Sequence, residues 1–496
     1  MINHRPNILI IQADQHRIDC LGAYGNPDVK TPALDGLAAD GVRYNNSFSP
    51  YPVCTPSRYS FLSSLYVRQH LAGSNHATLP AGLPTFPREL QKAGYQTQAV
   101  GKMHFTPTYL DVGFDQMLLA EQNGPGRYED DYHRWLRSLG LVDAIDLLDQ
   151  EREFRQNAPE AYWHSFGAME SNLDEDHHST TWIGDRAVEA VENWGTQQSN
   201  LLMASFIKPH HPFDPPAPWS QMYHPDFLTL LPGWTDECLP QDLAYRRGYF
   251  SNEELNEAAL RQVMAYYYAT ISQIDHHVGR LIEVLKARGL YEKTLILYNS
   301  DHGDYLGFHH LLLKGNYMYD PLIKVPLIVK YPAQSQAAQA KAGTVSQKLV
   351  NSTDIAPTLL ALAGCAIPET FCGINLLDES QTRDVIFAEA GRGAEYMVRT
   401  HSHKLLLCPT PEQSQFFDLE RDPLEMENRY TAPAYQKTIE ALRQRLLHWT
   451  LFEQPSPVHV NEEATVLPTA PTFIQNEFQR THARNEAQAY FRSKMG

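Results

Sequence analysis

Short apolar runs that end in polar side chains recur along this chain, and they constrain its fold more than any other feature. The segments between them carry apolar residues at helical spacing. Strands that alternate with helices predict an α/β fold, in which helices cover both faces of a parallel-type sheet. The predicted strands are residues 7–14, 96–101, 201–207, 294–299 and 325–330, and the predicted helices are residues 31–40, 85–93, 180–194 and 253–288.

Four of these strands are followed directly by side chains that suit catalysis or metal binding. In an open α/β sheet, ligands bind beyond the carboxyl ends of the strands. We therefore expect four separate strands to direct these side chains at one site. They are, in chain order, Asp14 with Gln15, Lys102 with His104, residues 208–211, and Asp301 with His302.

The character of the chain changes near Ser380. Residues 384–389 and 396–407 have the pattern of strands in a small sheet, and residues 434–450 that of a helix. This predicts a larger domain over residues 1–380 and a smaller C-terminal α+β domain over residues 381–496, with an antiparallel sheet, a helix and a tail. We expect the tail to lie over the larger domain.

Composition excludes several classes of function. The net charge of −17 disfavours nucleic-acid binding, which needs clustered Lys and Arg, and it favours small substrates over polyanions. No apolar run is long enough to cross a bilayer, so no membrane association is expected. The N-terminus has no signal-peptide features, which predicts a cytoplasmic protein, or a periplasmic or secreted one if a leader precedes it. The six cysteines have neither zinc-finger spacing nor the density of a disulfide scaffold.

The segment SPYPVCTPSRYSFLSSL holds the most specific motif of the chain, Cys54-Thr55-Pro56-Ser57-Arg58. The apolar run after Pro56 predicts a helix, and a nucleophile at its N-terminus would benefit from the free backbone N–H groups and the helix dipole. By itself Cys54 could equally be a buried thiol, as a lone cysteine usually is.

This motif resembles the C-x-P-S-R signature of the formylglycine-dependent sulfatases. These enzymes belong to the alkaline phosphatase-like superfamily, with the arylsulfatases and phosphonate monoester hydrolases. The resemblance implies a large mixed, mostly parallel sheet, and a maturation enzyme as a partner that oxidises Cys54 to formylglycine. The hydrated aldehyde then attacks sulfur and displaces the alcohol. By the same resemblance, Arg58 would hydrogen-bond the hydrated aldehyde.

The resemblance also places a divalent cation on Asp14, Gln15, Asp301 and His302. Two carboxylates, an amide oxygen and an imidazole suit such an ion. The family's usual first pair is Asp-Asp, so Gln15 is a departure that removes one negative charge. Ca²⁺ is expected first, with Mn²⁺ and Mg²⁺ as alternatives; a phosphonate hydrolase branch with glutamine here is associated with manganese.

Further catalytic residues follow from matched motifs. GKMHF resembles the G-K-x-H element, which implies that Lys102 contacts the nucleophile and substrate oxygens and that His104 is a base. PHHP resembles P-H-x-P, which assigns leaving-group protonation to His210, although His211 beside it leaves that choice open. Lys314 in LLLKGN matches a sulfate-binding lysine, and His309 is expected to support the site without contacting substrate.

The predicted function is hydrolysis of sulfate monoesters, either small molecules or sugar sulfates. A phosphonate monoester or phosphodiester hydrolase is the alternative, supported by Gln15, and a decayed binding protein is a third reading. An imidazole at His104 favours the sulfatase, because the phosphonate branch lacks it. The identity of the alcohol and any homo-oligomer remain open.

Overall fold

A large eight-stranded sheet forms the centre of the computed structural model, which describes residues 5–245, 249–315, 317–335, 342–453 and 477–495. Its strands lie in the order β4-β3-β5-β1-β6-β7-β2-β8. They are β1 Asn7–Ala13, β2 Val42–Phe48, β3 Gln96–Gly101, β4 Gln116–Leu119, β5 Asn200–Phe206, β6 Thr294–Ser300, β7 Leu327–Lys330 and β8 Thr344–Asn351.

The sheet is mixed but mostly parallel, as predicted. β1 pairs in parallel with β5 and β6, and β3 pairs in parallel with β4 and β5. Only β7 runs against its neighbours β6 and β2, while β2 and β8 are parallel. The carboxyl ends of β1, β3, β5 and β6 therefore meet at one edge of the sheet, where their polar residues follow.

Helices cover both faces of this sheet. Along β1, Ile8 and Ile10 belong to one buried apolar cluster, and Leu9 and Ile11 belong to another on the opposite face. This alternation explains the uninterrupted apolar run at residues 8–11, since a parallel strand is buried on both sides. The helices are α1 Pro32–Asp40, α2 Cys54–Ser63, α3 Val67–His70, α4 Phe86–Lys92, α5 Gly124–Glu129, α6 Asp131–Ser138, α7 Ala144–Gln150, α8 Arg152–Arg155, α9 Glu160–His164, α10 Ser179–Glu192, α11 Glu257–Ala287, α12 Asp320–Ile323, α13 Ile355–Leu362, α14 Gln436–Phe452 and α15 Glu477–Met495.

A second, four-stranded antiparallel sheet follows in the C-terminal part of the chain, in the order β12-β11-β10-β9. Its strands are β9 Ile386–Ala390, β10 Glu395–Arg399, β11 His403–Leu407 and β12 Gln415–Asp418. The prediction of one strand over residues 396–407 was wrong, because a tight turn at residues 400–402 folds this stretch into the hairpin β10–β11. The domain boundary at residue 380 stays a prediction.

The C-terminal helix α15 packs back onto the larger part of the molecule. Ala487 and Phe491 join Leu147 in a small apolar cluster, and Arg484 donates to Glu129 at 2.7 Å. Of the predicted tail over the larger domain, α15 is described, while residues 454–476 lie outside the described residues. No helix among the described residues combines the length and apolarity needed to span a membrane.

Glu389 in β9 connects the small sheet to the chain on both sides of α2, at Pro50 before it and at Arg68 in α3 after it. Its backbone N–H donates to Pro50 O, and its side chain accepts from the backbone N–H of Arg68, both at 2.9 Å. Burial raises the pKa of Glu389 from 4.5 to about 7, against the attraction of Arg68. Between these pH values the folded chain holds a proton that the unfolded chain has released, so stability falls as pH rises from 4.5 to 7.

We therefore expect Glu389→Gln, which stays neutral, to raise the free energy of unfolding at pH 8 by about 1–3 kcal/mol relative to the wild type. At pH 5 the two proteins should differ little. Urea denaturation at both pH values measures this difference. The exposed Glu283→Gln is the control and should change stability by less than about 0.5 kcal/mol at either pH. An equal effect of Glu389→Gln at both pH values would contradict the pKa assignment.

Candidate active site

Cys54 is the first residue of α2, which begins after β2, and it is completely buried. Its Sγ lies 3.6 Å from Asp14 Oδ1, 3.2 Å from His302 Nε2 and 3.1 Å from Lys314 Nζ. The His104 side chain also contributes to lowering the pKa of the thiol. Residues that sequence motifs placed after β1, β3 and β6 therefore meet around the cysteine.

Arg58, one turn along α2, organises the carboxylates of this cluster. Its Nε donates to Asp301 Oδ2 at 2.8 Å, its Nη2 to Asp14 Oδ2 at 3.1 Å, and its Nη1 to Ser205 Oγ at 2.9 Å. Among the described residues, no hydrogen bond of Arg58 goes to Cys54. The guanidinium therefore holds two buried carboxylates in place and compensates their charge.

Asp14, Asp301, His302 and Cys54 each offer a ligand atom within 4.8 Å of the others. His302 Nε2 lies 3.7 Å from Asp14 Oδ1 and 4.0 Å from Asp301 Oδ1. His302 Nδ1 donates to Gly303 O at 2.9 Å, so Nε2 is the ring nitrogen that faces the cluster. Such separations suit neighbouring ligands of one cation with bonds of about 2.0–2.6 Å.

Gln15 offers a further observation in favour of a cation. Its Nε2 donates to Asp304 Oδ2 at 2.5 Å, which fixes the amide, whereas its buried Oε1 has no partner among the described residues. An unpaired buried acceptor costs about 1–3 kcal/mol, and a bound cation would remove that cost. Gln15 also has a φ of 67°, a strained conformation of the kind found at functional sites. The donor set therefore fits a divalent cation.

Lys102 and His104 approach from the loop after β3. Lys102 Nζ lies 2.7 Å from Asp14 Oδ2 and donates to Gln122 Oε1 at 3.3 Å. The backbone N–H of His104 donates to both oxygens of Glu121, at 2.9 and 3.1 Å, and its φ is 57°. These bonds place the His104 ring beside the cysteine, and its Nδ1 has no partner among the described residues.

His210 and Lys314 form a pair on another side of Cys54. Lys314 Nζ lies 2.9 Å from His210 Nε2, and His210 Nδ1 lies 2.6 Å from the carbonyl of His211. The carbonyl can only accept, so Nδ1 carries the proton of a neutral ring and Nε2 accepts from the ammonium group. Burial, followed by Lys314 and Lys102, lowers the pKa of His210 well below its usual value, which favours that neutral ring.

His211 has different partners from His210. Its Nδ1 lies 2.6 Å from Asp149 Oδ2, and its ring stacks on that of His210 with centroids 4.3 Å apart. Lys208, three residues before His211, forms ion pairs with Asp214 and Asp146. Of the two adjacent histidines, His210 is thus the one in contact with Lys314.

Positive groups dominate the surroundings of Cys54. Burial raises the pKa of the thiol, but Lys314, His302 and Lys102 together outweigh it and hold that pKa well below its usual range. An environment that stabilises a thiolate will also stabilise other anions at this point. The site is therefore suited to binding an anionic group.

Several partners of the site carried no recognised motif. Gln122, Glu121 and Asp149 lie in residues 105–178, where no family pattern was found. Asp304 ends the run Asp301-His302-Gly303-Asp304. Its position three residues after a predicted metal ligand could have identified it as a partner of the site. His309 is directed away from Cys54: its ring nitrogens contact Asp242 Oδ2 at 3.0 Å and Leu424 O at 2.8 Å.

Comparison with known proteins finds sulfatases and a phosphonate monoester hydrolase among those similar to this chain. The Sulfatase family model matches residues 6–365, and the model for the N-sulphoglucosamine sulphohydrolase C-terminal region matches residues 307–451. An arylsulfatase of Clostridium perfringens is 31% identical over 472 residues, covering 89% of this chain and 94% of that protein. An N-acetylglucosamine-6-O-sulfatase of Bacteroides thetaiotaomicron is 26% identical over 492 residues, covering 89% and 86%. The structure of the phosphonate monoester hydrolase SpPMH from Silicibacter pomeroyi has a TM-score of 0.74 at 24% identity, covering 94% of this chain and 100% of that one.

Proposed function

The chain belongs to the sulfatase family and hydrolyses sulfate esters, and from that premise we propose that the cluster around Cys54 is its active site. The observation that carries this proposal is the convergence of Asp14, His302 and Lys314 within 3.6 Å of the Cys54 sulfur. The family implies a divalent cation and a formylglycine at the cysteine of the motif.

When present, the formylglycine hydrate supplies the oxygen that attacks sulfur, and a cation on Asp14, Gln15, Asp301 and His302 supplies positive charge to the sulfate oxygens. Ca²⁺ is our first expectation for this ion, with Mn²⁺ or Mg²⁺ as alternatives. Arg58 holds Asp14 and Asp301 in their ligand positions. Lys102 and Lys314 add two positive charges that stabilise charge on the transferring group.

The Lys314–His210 pair is proposed to assist the leaving alcohol. Because His210 Nδ1 donates to a backbone carbonyl, its Nε2 holds an ammonium proton of Lys314 in place. Lys314 is then the immediate proton donor to the departing oxygen, and His210 positions it. This arrangement refines the motif-based expectation that His210 itself donates the proton.

His104 is proposed as the base that regenerates the aldehyde. Its side chain is near enough to lower the pKa of the Cys54 thiol, and Glu121 fixes its backbone. With a hydrated formylglycine at residue 54, His104 would be placed to take the proton of its second hydroxyl, the chemistry needed to release sulfate and restore the aldehyde. A positioned general base typically contributes about 100- to 10,000-fold to rate.

If Cys54 is converted to formylglycine, the maturation enzyme must act before the chain folds. The side chain is 0% exposed, so an enzyme cannot reach it in the folded chain. We propose that the maturation partner acts on the unfolded or nascent segment around the motif. A cytoplasmic location remains our expectation.

The alternative, phosphonate or phosphodiester hydrolysis, is favoured by Gln15, because a neutral ligand leaves the site one unit more positive. The sulfatase is favoured by the placement of His104 beside Cys54. We weigh His104 more, since without a base the enzyme would stop as a covalent adduct, whereas a missing ligand charge can be offset by the choice of metal.

We therefore expect the mature, metal-loaded protein to show a higher kcat/KM for a sulfate monoester than for the matched phosphonate monoester. His104→Ala should lose about 100-fold or more in turnover and accumulate sulfated protein that intact-mass spectrometry detects. Parallel assays of matched aryl esters measure the first result.

His224→Ala, a change at an exposed histidine, is the matched control and should behave as the wild type. A wild-type preference for phosphonates, together with unimpeded turnover by His104→Ala, would establish the alternative function instead.

A further inference from the structure

A line of polar side chains leads from Cys54 to the protein surface. Lys314 Nζ lies 3.1 Å from the Cys54 sulfur and 2.9 Å from His210 Nε2. The His210 and His211 rings stack with centroids 4.3 Å apart, and the Tyr249 ring centroid lies 5.0 Å beyond that of His211. Exposure rises along this line, from 0% at Cys54 through 3% at His210 and 6% at His211 to 36% at Tyr249. The exposed fraction of these side chains therefore increases stepwise from the buried nucleophile toward the protein surface.

We expect the alcohol part of the substrate to lie along this line, because exposure increases in that direction. The inference rests on the proposed function, in which Lys314 protonates the departing oxygen. An ester whose sulfur is at residue 54 and whose leaving oxygen is at Lys314 directs its carbon skeleton toward His211 and Tyr249.

His211 has one ring nitrogen, Nε2, available for a hydrogen bond in a fixed direction. Its Nδ1–H donates to Asp149 Oδ2 at 2.6 Å, and the Tyr162 hydroxyl donates to the other carboxylate oxygen. Among the residues that the structure describes, no group hydrogen-bonds to His211 Nε2. With Nδ1 fixed on Asp149, Nε2 is the ring nitrogen left for a ligand hydroxyl, which donates to a neutral ring or accepts from a protonated one.

Tyr249 supplies a rigid aromatic surface at the exposed end of this line of side chains. Its hydroxyl donates to the backbone carbonyl of Asp149, and the Arg155 guanidinium lies 4.7 Å from its ring centroid. The ring is thus held in place while part of it remains exposed. Aromatic surface combined with a few oriented polar groups is typical of small-molecule binding sites.

We propose that His211, oriented by Asp149, and Tyr249 bind the alcohol, and that this alcohol is a sugar. A pyranose has several hydroxyl groups, one of which hydrogen-bonds His211 Nε2. It also has a face of C–H bonds, which packs on the Tyr249 ring. A simple aryl alcohol has no hydroxyl for His211 once its ester is formed. The pair therefore selects sugar sulfates over aryl sulfates.

The test compares the 6-sulfates of glucose, galactose and N-acetylglucosamine with 4-nitrophenyl sulfate, using protein whose formylglycine content is verified by mass spectrometry. We expect at least one sugar sulfate to have a higher kcat/KM than the aryl sulfate. His211→Ala and Tyr249→Ala should each lower that preference ratio by about tenfold or more, because a site that binds a hydroxyl discriminates against ligands without one. Tyr249→Phe, which keeps the ring, should retain most of the preference.

The exposed pair His224 and Phe227 provides matched controls, since their rings also pack on each other at 4.9 Å. His224→Ala and Phe227→Ala should leave the ratio unchanged. An unchanged ratio in folded His211→Ala and Tyr249→Ala would overturn the proposal, as would loss of the preference in Tyr249→Phe. A wild type that hydrolyses the aryl sulfate faster than every sugar sulfate would also overturn it while leaving the proposed function intact. Inactivity on all sulfate esters would instead remove the proposed function and this inference together.

Discussion

Replacing Cys54 by alanine is expected to abolish sulfate ester hydrolysis, with a loss of about 10,000-fold or more in kcat. The reason is that no other group can supply the attacking oxygen, and the remaining contacts bind charge without forming the covalent bond. The fold should persist, because Asp14 and Asp301 are held by Arg58 independently of the thiol. Steady-state assays and circular dichroism measure the two results.

Cys54→Ser is the matched variant, because it keeps a hydroxyl at the same position but offers no thiol to oxidise. It should be as inactive as Cys54→Ala if the aldehyde is essential. Peptide mass spectrometry of wild-type protein from a host with the maturation system should find an aldehyde in place of the thiol. Full activity in protein whose Cys54 is entirely unmodified would disprove the assignment.

Removing the cation should lower sulfate ester hydrolysis by a comparably large factor. Asp14→Asn and Asp301→Asn each replace a charged oxygen ligand by a neutral amide and disturb the ion pairs with Arg58. We expect metal affinity to fall by about 100-fold or more, since even outer partners of metal ligands cost about 10- to 100-fold. Metal content after dialysis, measured by elemental mass spectrometry, tests this independently of activity.

Asp242→Asn is the control for the loss of a buried carboxylate elsewhere. Asp242 is 0% exposed and contacts His309 and Tyr319, not the Cys54 cluster. This variant should keep its metal even if it is less stable. Reconstitution of chelated wild type with Ca²⁺, Mn²⁺ and Mg²⁺ in turn identifies the ion. A stoichiometric metal content in Asp301→Asn would contradict the ligand set.

Local pattern determined much of the fold from the sequence. The predicted strand 96–101 agrees with β3 Gln96–Gly101, and the predicted 7–14 differs from β1 Asn7–Ala13 by one residue. β1 is buried along its whole length, so its apolar run at residues 8–11 is continuous and easily recognised. β3 reads QTQAVG and is exposed at Gln96, so its apolar character is confined to its carboxyl end. The hairpin β10–β11 was missed because its two strands are separated only by a short polar turn.

The convergence of the side chains around Cys54 could also be predicted, because parallel strands place their carboxyl ends at one edge of the sheet. Their orientations depend on long-range contacts, which the local pattern does not contain. Gln15 is paired with Asp304 across 289 residues, and His211 with Asp149 across 62, in a segment with no recognised motif. Local spacing cannot encode such contacts. The choice of His210 as the partner of Lys314 has the same origin: adjacent histidines are equivalent in sequence, and they become different only when the fold gives one ring a lysine and the other a buried carboxylate.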